Sequence, residues 1–174
     1  MKTEKADTKE LFQQLDDATS EFFRIVSSFE ELQLNQRPYT NGWSAGQVAE
    51  HVMLSNRNIV QELSKPGKVC ERQPDAGVER IRSVFLNFDK KMNAPDFIVP
   101  TRDVYKKEAL VRSLKKSIDE LNDVAKREEV FEIVNHAIFG EVTRLENLFF
   151  VIYHTQRHIH QLRKIQAIIQ TGRN

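Results

Sequence analysis

A chain of 174 residues with a single cysteine is sized for one domain, 1–174, and closes no intrachain disulfide. Its 26 basic residues are offset by 25 acidic ones, for a net charge of +1. The densest basic run, Lys106 and Lys107 with Arg112, Lys115 and Lys116, is interleaved with Glu108, Asp119 and Glu120, which argues against a nucleic-acid partner. No apolar run approaches the ~20 residues that span a bilayer. The charged start from Met1 to Asp7 lacks the apolar core of a secretory leader, so no membrane partner and a cytoplasmic location are expected.

Leu11, Leu15, Phe22, Ile25, Val26 and Phe29 recur at helical spacing and predict a first helix over about 8–32. Pro38 and Asn41-Gly42 break it. The second helix carries its own start signal. Ser44 is followed three residues later by Gln47, a capping box, and Trp43 and Val48 are placed to form a hydrophobic staple. Val48, Val52, Ser55, Ile59 and Leu63 mark its inner face, and Pro66-Gly67 ends it.

Val78, Ile81, Phe85 and Phe88 then suggest a shorter helix, followed by an extended stretch from Asn93 to Thr101. Leu110, Leu114, Ile118, Leu121 and Ala125 predict a third long helix over about 105–127. A last helix runs from about Thr143 to Thr171, with Thr143 and Glu146 as a second capping box and Gly172 as its stop. Strand-like alternation is nowhere sustained, and His136 falls in the loop before the last helix. Four long helices make an all-α four-helix bundle, with a short helix or extended segment between the second and third.

Three histidines interrupt apolar stripes. His154 and His158 lie four apart, ~40° around a helix, on the face that continues through Val151, Leu162 and Ile165. On the second helix His51 stands at the same spacing between Val48 and Ser55. An unpaired buried polar group costs roughly 1–3 kcal/mol. A shared divalent ion satisfies one nitrogen of each ring, and bundle cores commonly hold such sites. The bland alternative is three core histidines bonded to neighbours. His136 and His160 fit the stripe less well and default to structural or surface roles.

Thr155 follows His154 where a zincin carries its general-base Glu, so peptide hydrolysis of that kind is not expected. Three neutral imidazoles leave at least one coordination position open, the pattern of a reactive site. Imidazole suits Zn, Ni, Cu or Fe alike.

The segment Asn41-Gly42-Trp43-Ser44-Ala45-Gly46-Gln47-Val48-Ala49-Glu50-His51 resembles the opening of the second helix in DinB-like (YfiT-like) proteins. Phe139-Gly140-Glu141-Val142-Thr143, with Tyr153-His154 and Arg157-His158-Ile159-His160-Gln161-Leu162, resembles that family's last-helix signature. The resemblance runs from about residue 10 to 170. It departs from the family at Ala137, where many members have Pro after the loop histidine. It implies an up-down-down-up bundle, often a homodimer, with a Zn or Ni site on His51, His154 and His158. Some relatives are S-transferases that use the thiol bacillithiol, a distant branch isomerises maleylpyruvate with mycothiol, and others are described only as metal-dependent hydrolases.

The resulting expectation is a metal-dependent enzyme acting on a small-molecule substrate, a bacillithiol-type S-transferase or a hydrolase. Arg157 is a candidate for holding a carboxylate of the thiol cofactor. Gln161 and Asn147, on the face of the histidine pair, are candidates for orienting ligands or filling polar gaps. Cys70 is read as an incidental loop thiol. The competing class is a non-catalytic metal-binding or interaction bundle.

Overall fold

A computed structural model describes residues 4–127 and 129–171. The elements are α1 (Glu4–Ser28), α2 (Glu31–Asn35), α3 (Ala45–Leu63), α4 (Val78–Phe85), α5 (Lys107–Arg127), β1 (Ile133–His136), β2 (Gly140–Thr143) and α6 (Arg144–Thr171). The expected stop at Gly172 lies outside the described residues. No helix among the described residues is long and apolar enough to cross a membrane.

The four long helices bury one core in two halves, and the halves give the topology. One cluster joins the C-terminal part of α1 (Phe22 to Val26), Phe29 just beyond it and the N-terminal parts of α3 (Ala45 to Met53) and α5 (Leu110 to Ile118) with the C-terminal part of α6 (Ile159 to Ile165). The other joins Leu11 and Leu15, Ile59 and Leu63, Leu121 and Ala125, and Leu145 to Tyr153. So α1 and α6 run one way while α3 and α5 run the other, which is up-down-down-up. Since α3 and α5 are parallel, residues 64–106 must return along the whole bundle. That crossover contains α4 and supplies part of the site.

Local chemistry sets the ends. Ser44 Oγ accepts from the Gln47 amide at 3.2 Å and Gln47 Oε1 accepts from the Ser44 amide at 3.1 Å, closing the expected capping box. Trp43 packs on the cluster that includes Val48. Thr143 and Glu146 form the second reciprocal pair, at 2.9 and 3.1 Å. The Glu146 carboxylate also binds both Arg72 terminal nitrogens and the Gly77 amide, fixing the crossover to α6.

The structure departs from the sequence expectation in three places. The first helix stops at Ser28, and α2 starts afresh on a Glu30–Gln33 capping box. Phe29 and Leu34 lie five residues apart, ~140° around a continuous helix, yet both are fully buried, and the break lets them reach one core. The short crossover helix ends at Phe85, which leaves Phe88 beyond it, stacked on His160. Finally, the loop before α6 is an antiparallel hairpin of two four-residue strands, with Ile133 opposite Thr143 and His136 opposite Gly140. Gly140 closes its turn at φ +71°, the left-handed region that glycine adopts without strain.

Candidate metal centre

His51 comes from the middle of α3, and His154 and His158 from successive turns of α6, so two crossing helices carry the three rings to one point. His154 Nε2 lies 3.0 Å from His51 Nε2 and 3.1 Å from His158 Nε2. All three rings are buried, and the candidate ligand atoms lie within 4.8 Å of one another. Metal–nitrogen bonds of ~2.0–2.1 Å keep two ligands of one ion within ~4 Å, a limit both close contacts meet.

The outer ring nitrogens explain which inner ones are free. His51 Nδ1 lies 2.8 Å from the Ile98 carbonyl oxygen, and His158 Nδ1 lies 2.8 Å from Gln161 Oε1. Both acceptors require Nδ1 to carry the proton, which leaves each Nε2 as a bare lone pair. Two lone pairs therefore face the one Nε2 of His154, and a single proton there cannot satisfy both. A cation satisfies all three, so this donor set fits a divalent ion. Carbonyl and amide oxygens on the outer nitrogens are the usual orienting partners of metal-bound histidine.

Electrostatics favour the same state. Burial lowers the His51 pKa, partly opposed by its bond to the Ile98 carbonyl. Burial and then the neighbouring His158 and His51 hold His154 well below the usual imidazole value. Burial, with His51 nearby, brings His158 down to about 3. All three rings are neutral at pH 7 and able to ligate.

The triad forms one wall of a cleft of about 240 Å³ lined mainly by apolar side chains, among them Val84, Phe85, Ile98, Ile138 and Phe139. Phe150 stacks on His154 at 5.1 Å and Trp43 lies 5.0 Å from His51. No carboxylate lines this cleft among the described residues.

The Ile98 carbonyl is itself held in place. Buried Glu50, next to His51 in sequence, accepts from the Thr101 amide at 3.0 Å, the Arg102 amide at 3.3 Å and the Tyr105 hydroxyl at 2.5 Å. The Tyr105 ring lies against Gly46, where a Cβ would come within 2.5 Å of it. Neither Ile98 nor Glu50 was identifiable as a site residue from sequence. Ile98 acts through its backbone, and Glu50 reads as an ordinary charged helix residue.

The remaining candidates have other positions. Gln161 Oε1 lies against His158 Nδ1 and orients that ring, and the residue also lines the groove beside the cleft. Asn147 donates to buried Glu62 at 3.1 Å, two turns before His154 on α6. The Arg157 guanidinium lines the cleft, but its terminal nitrogens donate to the carbonyls of Phe85, Asn87 and Lys90, tying the crossover to α6. His136 is buried on β1, where its Nδ1 accepts from the Ile138 and Phe139 amides, and it does not join the triad. His160 stacks on Phe88 at 4.3 Å outside the triad. Cys70 sits in the crossover and is not among the residues that line the cleft.

Comparison with known proteins supports this architecture. The chain is 25% identical over 161 residues to the uncharacterized protein YuaE of Bacillus subtilis (strain 168), covering 88% of this chain and 96% of YuaE. The crystal structure of TT2238, a four-helix bundle protein, superposes with a TM-score of 0.60 at 16% identity, covering 90% of this chain and 98% of TT2238. YfiT from Bacillus subtilis, described as a probable metal-dependent hydrolase with an unusual four-helix bundle topology, superposes with a TM-score of 0.60 at 12% identity, covering 94% of this chain and 87% of YfiT. The DinB superfamily profile matches residues 14–162, and the chain belongs to that superfamily.

Proposed function

We propose that the protein is a metal-dependent enzyme in which His51, His154 and His158 hold one divalent ion, Zn or Ni, and that it transfers a small-molecule thiol to an electrophilic substrate. The carrying observation is the convergence of three neutral Nε2 atoms on the wall of an apolar cleft. Three protein ligands leave a coordination position for a reactant, and the cleft provides room for one beside it. A divalent ion held there would lower the pKa of a thiol or water bound next to it.

The chain's own residues then have defined roles. The Ile98 carbonyl and Gln161 Oε1 fix the tautomers of His51 and His158, and Phe85, Phe150 and Trp43 pack around the rings and limit water. Among the described residues no carboxylate lines the cleft to act as a general base on water. That favours a nucleophile that ionises without one. A thiol, with an ordinary pKa near ~8.5, needs less help than water, so S-transfer is preferred to hydrolysis. The YfiT description keeps hydrolysis as the second reading.

The test is Co(II) loading of a Cys70→Ser variant, which removes the protein's own thiol from the spectrum. Adding bacillithiol should produce sulfur-to-metal charge-transfer absorption, and a His51→Ala change should abolish it. Absence of that band, together with metal-dependent hydrolysis of an ester or amide, would replace S-transfer by hydrolysis.

A further inference from the structure

The cleft opens beside a second, wider groove of about 640 Å³, within the usual size range of small-molecule sites. Trp43, Met92, Asn93, Ala94 and Arg157 line both, so the two are continuous. Their chemistry differs. The cleft is apolar apart from the histidines, Asn93 and Arg157, whereas the groove carries Lys90, Lys91, Lys164 and His160 with one acidic residue, Asp89. In a chain with a net charge of only +1, this is a local excess. None of Lys90, Lys91 and Lys164 is in an ion pair among the described residues.

The groove wall is fixed in place, because Arg157 holds the Asn87 and Lys90 carbonyls and Phe88 stacks on His160.

We propose that the protein's ligand is an amphipathic anion, whose apolar body fills the cleft against the triad and whose carboxylate or phosphate rests on Lys90, Lys91 and Lys164. The orientation rests on reading the triad as the reacting end, while the anion shelf stands on the groove alone.

Calorimetric titration of the full chain with phenylbutyrate, phenylbutyl phosphate and the neutral phenylbutanol tests this. At low salt the better anion should bind roughly tenfold more tightly than the alcohol, the order expected from a few partly screened charges. Whichever anion leads identifies the head group. Raising the salt should shrink the advantage. The combined Lys90→Ala, Lys91→Ala and Lys164→Ala variant should bind phenylbutanol as the wild type does and lose the preference for the anion. After chelation of metal the wild-type preference should persist, which separates this shelf from the metal reading. Equal affinity for alcohol and anions, no binding of any probe, a preference unchanged in the lysine variant, or one that vanishes with the metal would each overturn the proposal.

Discussion

His51 Nδ1 lies 2.8 Å from the carbonyl oxygen of Ile98, a residue 47 positions later in the crossover. One backbone oxygen thereby sets the tautomer of the α3 histidine, and the crossover becomes part of the site. Glu50 holds that stretch of chain through Thr101, Arg102 and Tyr105.

Substituting Glu50 by Ala should therefore affect a site it does not touch. Leaving its donors unpaired should cost roughly 1–3 kcal/mol of stability. Freeing the orienting carbonyl should weaken metal binding by about 10–100-fold, the usual effect of losing such a partner. Competition with a chromogenic chelator measures the affinity, and a Glu50→Ala protein that binds metal as the wild type does would show that Ile98 is held by other means.

The capping box makes a second prediction. Ser44→Ala removes the side-chain acceptor at the start of α3 and should destabilise the metal-free protein by ~1 kcal/mol. The urea midpoint followed by circular dichroism reads this directly. An unchanged midpoint would mean that Gln47, through its bonds to Arg102 and Asp103, secures the helix start without Ser44.

Acid should unfold the metal-free protein through its histidines. Burial lowers the folded pKa values of His51, His154 and His158 below the usual 6.5, and of His136 likewise. Below pH 6.5 the unfolded chain takes up protons that the folded rings refuse. The stability these groups contribute is full above that value and is lost as pH falls toward about 3, where His158 titrates. Between pH 6.5 and 5 the shifted carboxylates of Glu21, Glu31 and Glu146 stay mostly ionised in both states. Urea midpoints across that interval should fall with pH in the wild type and fall less in a His154→Gln, His158→Gln double variant. Equal slopes would contradict the burial argument.

Much of this was legible in the sequence, for identifiable reasons. The His154–His158 pair interrupts an apolar stripe four residues apart, and His51 interrupts another, so helical period placed each ring on an inward face, while their meeting at one depth came from the packing of α3 on α6. The two capping boxes, at Ser44 and Thr143, marked α3 and α6. The hairpin was not legible, because strands as short as Ile133–His136 and Gly140–Thr143 give too little alternation to stand out from a loop. The break at Phe29-Glu30 was hidden because Glu30 is an uncommon cap. Arg157 read as a contact for a cofactor carboxylate; its bonds to the Phe85, Asn87 and Lys90 carbonyls were not legible, because an arginine beside a site carries no mark of the backbone that will face it after folding.

Metal content of untagged protein, measured by elemental analysis in the wild type and in single His51→Ala, His154→Ala, His158→Ala and His160→Ala variants, tests the triad most directly. The wild type and His160→Ala should hold about one divalent ion per chain, and the other three should hold little, since each lacks one of three protein ligands. Equal metal in His154→Ala and His160→Ala, or no metal in a wild type offered Zn and Ni, would contradict the assignment of this centre.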